Sequence, residues 1–238
     1  MRFDVRGDTK EIERALTQLQ RKQVPFARTL AMTWTAQDVQ RVQRMSLRVR
    51  LNAPTRRTLN SVRVKPATKR EQSAYIWIKD DSPKGTAPIK YLEPLIYGTR
   101  RNFKRHEKAL HRLGLLPAGW YTVPGEGARL NRFGNLTGAM YSKILSDLKA
   151  SPDAHQNRNS EKKRARFFIL RSGGKPVGVY ERTGKKRGSI RSILHFVPTK
   201  PSYSKTLPFF NIAEGVSSRQ FAPNFERALA QALSTAWG

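Results

Sequence analysis

EKKRARFFILRSGGKPVGVYERTGKKRGSIRSILHFVPTKPSYSKTLPFF, from Glu161 to Phe210, is the stretch whose pattern decides the fold class. Phe167 to Leu170, Val177 to Glu181 and Ile190 to Val197 are rich in aromatic and β-branched side chains, which suit a pleated, half-buried surface. Gly173-Gly174 separates the first two runs and the segment Gly184 to Gly188 the last two, so the spacing predicts three short strands joined by turns. Between Lys162 and Arg191 stand eleven Lys/Arg and one acid, Glu181. A sheet this basic should face a polyanion or water.

Beyond the strands, a proline-punctuated link leads to a final helix expected from about Pro223 to Ala236. Phe225, Ala228, Leu229, Ala232, Leu233 and Ala236 share one face of it, and Phe221 is expected to pack just ahead. At the other end, Asp8-Thr9-Lys10-Glu11 has the D-x-x-E order of a capping box, followed by the apolar face Ile12, Ala15, Leu16 and Leu19. That helix should stop near Lys22, because Pro25 disfavours helical geometry at Val24. Pro25 itself suits the first turn of a longer second helix, with Ala27, Leu30, Ala31, Trp34, Val42, Met45 and Val49 at helical spacing and a stop at Asn52-Ala53-Pro54. Two extended segments follow, Thr58 to Val64 and Ala74 to Ile78. The second, AYIWI, is apolar on both parities and reads as a central strand.

Residues 83–160 change character. Asn102 to Leu113 puts Phe103, His106, Leu110 and Leu113 on one helix face, with Gly114 as C-cap. Asn135 is expected to cap another helix, with Leu136, Met140, Ile144 and Leu148 on its buried side. Between them LLPAGWYTVPGEGARLNRFG shows no period, and loops of that length are usually functional or packed on a partner. The block reads as an insertion that a neighbouring subunit helps to order, and Ala154 to Lys163 as a polar linker. The expected architecture is α+β, with N-terminal helices and a C-terminal helix on a mixed, mostly antiparallel sheet. Its expected segments are 1–82, 83–160 and 161–238.

Lys and Arg number 46 against 17 acids, a formal charge of +29. Such a surplus repels itself and favours a polyanionic partner, nucleic acid first. The absence of cysteine excludes disulfides and thiolate metal sites. MRFDVRGD has no apolar core of a secretory signal, and no apolar run nears the roughly 20 residues that span a bilayer, so a chain made in a cytoplasm and kept off membranes is expected.

Catalytic patterns fail on spacing. His106 and His111 in HEKALH are at i and i+5, about 140° apart on a helix, whereas HExxH needs i and i+4. GVYERTGKK has five residues between its glycines where a phosphate loop has four, and no Ser or Thr follows Lys185. Asp80-Asp81 is the nearest approach to a metal-nuclease pair and sits in a segment with the composition of a turn or loop, Asp80 to Gly85. No enzyme activity, cofactor or metal is expected. The cations instead form three runs. Arg100, Arg101, Lys104 and Arg105, with Lys108 and Arg112, make the first; Lys162, Lys163 and Arg164, with Arg166, the second; Lys185, Lys186 and Arg187 tip a hairpin. A single run is ordinarily a solvated face, but three favour contact with phosphates without base readout, or with acidic protein. Phe167, Phe168 and Tyr180 lie among these charges, where strand-core positions are the commoner explanation than base stacking.

The order of these parts resembles the Z-like minor tail, or tail completion, proteins of tailed bacteriophages. The likeness is carried by Lys175 to Ala236: a G-V-Y-x-R strand, a second strand with a proline-containing link, and a helix built like FERALAQAL. GLLPAGWYTVPGEGARLNRFGN is also similar to an element of such virion proteins. The resemblance implies a structural subunit of a ring at the head–tail joint. Its neighbours would be connector or portal-side and tail-tube-side proteins, and double-stranded DNA would be met through phosphates. The alternative is a free nucleic-acid-binding protein without sequence specificity.

Overall fold

A computed structural model describes residue 17 and residues 19–83, 85–159, 164–184, 186 and 188–236. The helix expected over Asp8 to Lys22 lies mostly outside the described residues. A π-helical turn, Leu19–Gln23, leads into α1 (Val24–Arg50), followed by α2 (Arg56–Leu59), β1 (Val62–Lys65), β2 (Tyr75–Ile78) and α3 (Ile89–Tyr97). Then come α4 (Arg105–Arg112), β3 (Tyr121–Pro124), α5 (Gly138–Asp147), a 3-10 turn (Ala154–Gln156), β4 (Phe167–Ser172), β5 (Lys175–Arg182), β6 (Ile190–Val197) and α6 (Phe209–Ala236). All strand pairs are antiparallel, and the protein is α+β.

The described chain forms two compact units, one up to Leu92 together with the residues from Thr206, the other Glu93–Lys205. This redraws the expected division at 82 and 160. Residues 93–160 are no insertion, because β3 pairs with β6, and Leu110 of α4 and Ile144 of α5 share a core with Phe167, Val179 and Leu194 of β4–β6. The final helix belongs to the first unit.

In the first unit α1 and α6 run antiparallel. Ala27 and Ala31 meet Ala228 and Ala232, all fully buried, with Leu30, Trp34, Phe225 and Leu229 packed around them. Methyl-sized side chains let two helix backbones approach closely. Further along, Asn224 Nδ2 donates to Thr35 Oγ1 (3.1 Å) and Asp38 Oδ2 (2.9 Å), and Gln43 Nε2 to the Phe209 carbonyl (2.6 Å). Asp38, which breaks the apolar stripe in sequence, is thus a polar seat in the seam. All the buried residues of α1 except Ala36 recur every fourth position, from Ala27 through Ala31, Thr35, Val39 and Gln43 to Leu47. Four residues turn about 400°, so the buried face rotates about 40° at each step. By the C-terminal half it has left Val42, Met45 and Val49 behind, and these expected core residues are exposed at 37%, 62% and 83%. α6 begins at Phe209, fourteen residues before the expected start, and carries Pro223 inside it. Pro223 supplies no N–H to the Arg219 carbonyl, and the continuous packing along α1 overrides that local break.

β1 and β2 form a two-stranded sheet, pairing Val62 with Ile78, Arg63 with Trp77, Val64 with Ile76 and Lys65 with Tyr75. Its inner face packs on α1, where Gln40 Nε2 donates to the Val62 carbonyl (2.7 Å) and Thr33 Oγ1 accepts from the Ala67 N–H (3.1 Å). β2 is therefore not the central strand its composition predicts. The start of the expected extended segment at Thr58 is helical instead, in α2, which Thr55 caps.

In the second unit the sheet order is β3-β6-β5-β4. β4, β5 and β6 occupy the three predicted runs. β3 lies within the stretch read as loop, because its four residues have a pairing partner only once β6 is in place. β5 and β6 approach closely at Gly178, where an added Cβ would fall 2.2 Å from the Leu194 carbonyl oxygen. α4 ends near Gly114 with φ +64°, a left-handed position that suits glycine. α5 is capped by Thr137, whose Oγ1 accepts from the Met140 N–H (3.2 Å), and not by Asn135.

Candidate nucleic-acid interface

The cations of α4 are sorted by the helix repeat. Lys104, Arg105, Lys108 and Arg112 are exposed and fall within about 100° of the helical wheel, while His106, Glu107, Ala109 and Leu110 are buried. Arg112 also donates to the Ser151 carbonyl (3.4 Å). Lys104 and Arg105 stand at the helix N-terminus, where a positive charge opposes the backbone dipole. The first turn also holds an acid, Glu107, so the unfavourable charge is confined to the solvent face.

What holds this face in place is an anchor beneath it. Glu107 is fully buried. Its carboxylate accepts from Arg101 Nη1 (2.7 Å) and Nη2 (2.6 Å), from the N–H of Lys104 (2.7 Å), and from the N–H (2.8 Å) and hydroxyl (3.0 Å) of Thr122 on β3. Arg101, placed by sequence among the partner-facing cations, is 8% exposed and committed to this pair. A buried carboxylate requires a counter-charge, and the planar guanidinium fork fits it at two points. Burial alone would raise the Glu107 pKa, but Arg101 and the Thr122 and Lys104 N–H groups outweigh it and bring the value down to about 2.

The anchor also explains HEKALH. Thr122 Oγ1 gives its proton to Glu107, which only accepts, so its lone pair receives the His106 Nε2–H (2.7 Å). The His106 ring stacks on Tyr141 at 4.1 Å, and burial holds its pKa down at about 4. The His111 nitrogens lie 3.1 Å from the Leu116 carbonyl and 3.0 Å from that of Trp120, fixing the loop after α4. All three polar side chains are occupied by structure.

A second anchor sits in the sheet. Glu181 of β5, the one acid between Lys162 and Arg191, is fully buried between Arg166, which donates to Oε1, and Arg191 of β6, whose Nε lies 2.5 Å from Oε2. Burial would raise its pKa, yet Arg191 and Arg166 hold it below the usual carboxylate range. Of the remaining expected cations, Arg100 is exposed beside the bridge it forms with Ser202, and Arg164 and Lys186 are exposed. Lys162, Lys163, Lys185 and Arg187 lie outside the described residues. The structure gathers Lys104, Arg105, Lys108 and Arg112 on one helix face and withdraws Arg101 from it.

The first unit carries basic groups that the three runs miss. A groove of about 330 Å³ along β1 is lined by Gln40, Arg44, Leu59, Asn60, Val62 and Arg63. The signal was present in sequence as alternation: Arg63 and Lys65 share a parity, and pairing places them opposite Trp77 and Tyr75. The molecule is thus an α+β protein in which two acids, Glu107 and Glu181, are drawn inward onto arginines while the cations of α4 face outward. Comparison with protein-family models, with curated proteins and with solved structures finds no match.

Proposed function

We propose that this chain is a structural subunit of a tailed-phage virion at the head–tail joint, a tail completion or neck component. It would assemble into a ring between connector or portal-side and tail-tube-side proteins, with a basic surface near double-stranded DNA. The observation that carries the reading is the division of charge in the second unit. Glu107 and Glu181 are buried and neutralised by Arg101, Arg166 and Arg191, whereas Lys104, Arg105, Lys108 and Arg112 face outward together. A surface so arranged attracts phosphates irrespective of base sequence, which is what contact with passing duplex DNA requires. The layout of Lys175 to Ala236, with its resemblance to tail completion proteins, supplies the assembly role. Arg101 and Glu107 position the basic helix and make no partner contact.

The test is composition and location. Purified particles of the virus encoding this chain should contain it in a fixed copy number, with density for it at the neck in electron micrographs. Its absence from washed particles, together with salt-sensitive binding of random duplex DNA by a monomer, would replace this reading with that of a free nucleic-acid-binding protein.

A further inference from the structure

The outer face of the β1–β2 sheet is built from Arg63 and Lys65 on one strand and Tyr75 and Trp77 on the other. Tyr75 is 48% and Trp77 40% exposed. Lys65 Nζ lies over the Tyr75 ring at 5.4 Å and pairs with Glu71 at 2.7 Å, so that half of the face is internally satisfied. The other half is open: among the described residues Trp77 has no ring or cation contact, and Arg63 and Arg44 have no ion pair. Arg63 also lines the groove along β1, together with Arg44, Asn60 and Gln40. AYIWI is apolar on both parities, a pattern suited to cover on both faces, and α1 covers only the inner one.

We propose that this face binds single-stranded nucleic acid, one unpaired base stacking on Trp77 and the adjoining phosphates lying against Arg63 and Arg44. The occupant follows from the chemistry. A flat indole accepts any base, the Arg63 guanidinium opposite it and that of Arg44 in the groove along β1 match a phosphodiester backbone, and the surplus positive charge of the chain selects against a basic partner. A protein strand laid here would need acids opposite Arg63 and Arg44, and a second copy of this chain is itself strongly basic. Duplex DNA keeps its bases stacked and offers Trp77 no face. The site is independent of the virion reading and is separate from the α4 surface assigned to duplex phosphates.

Anisotropy of a labelled oligothymidylate with the full chain tests it, alongside a duplex of equal length and an abasic strand of the same charge. The wild-type protein should bind oligothymidylate about tenfold more tightly than the abasic strand. Trp77→Leu should lose that same factor and keep the salt slope. Arg63→Ser should lower the slope by about 0.7 for the one phosphate contact removed. Equal binding of abasic and base-bearing strands by wild-type protein overturns the proposal, whatever the variants do. So does unchanged binding by a folded Trp77→Leu, or a change of oligomeric state with binding intact, which would make the face a contact between copies. Failure of this site leaves the neck assignment standing, since that is judged on particles.

Discussion

At the level of single residues, Glu107 shows why acids in a very basic protein are not interchangeable. It accepts five hydrogen bonds and joins the loop at Arg101, the start of α4 and β3 through one carboxylate. Glu107→Ala leaves the Arg101 charge buried without a partner and is expected to cost about 3–5 kcal/mol in urea unfolding. A loss below about 1 kcal/mol would show that the pair contributes little. The same cluster sets an acid limit. Neutral His106, with its ordinary value of 6.5 lowered to about 4, refuses a proton that the unfolded chain accepts. Its contribution to stability is present above about pH 6.5 and is lost as pH drops to about 4, by roughly 3 kcal/mol. Glu107, lowered from 4.5 to about 2, adds a loss between those two values. Melting curves of His106→Gln should lack the loss between pH 6.5 and 4 and retain the lower one. Persistence of the full upper limb would assign it elsewhere.

At the level of elements, two close approaches govern the fold. The α1–α6 seam depends on Ala27, Ala31, Ala228 and Ala232, where a larger side chain forces the backbones apart. Ala228→Leu should cost about 1–3 kcal/mol, well beyond the small difference in helix propensity between the two residues, measured by chemical unfolding. A stabilised variant would show that the seam is loosely packed. In the second unit, Gly178→Ala would place a methyl group against the Leu194 carbonyl, an unyielding backbone atom. Separation of β5 from β6 would expose Val179 and Leu194, so the variant should melt well below wild type, and an unchanged melting temperature would contradict the observed register. Both elements were legible in outline. β4, β5 and β6 announced themselves because their turns and apolar runs are contiguous in sequence. β3 did not, since four residues of YTVP become a strand only against β6, more than sixty positions away.

At the level of the whole molecule, the surplus of cations is an electrostatic property more than a folding one. Lys104→Gln with Lys108→Gln should leave the melting temperature at or above that of wild type, because an unfavourable charge leaves the α4 N-terminus. The same variant should bind random duplex DNA with a log–log salt slope lower by about 1.8, two contacts at about 0.9 each. An unchanged slope would remove α4 from the interface.

The amino-acid sequence alone determined the α+β class, the three principal strands, the long helix after Pro25, and the excess of basic charge, because these follow from periodicity, turn residues and composition along the chain. It also separated HEKALH from a zinc motif by spacing. Tertiary structure decided the rest. Arg101 could be told from Arg100 only by the buried carboxylate that draws it in, and the exposure of Val42, Met45 and Val49 only by the four-residue drift of the α1–α6 seam. Pro223 remains helical, and Trp77 remains bare, for the same physical reason: burial depends on what lies opposite a residue, and neighbours in space are not encoded by neighbours in sequence.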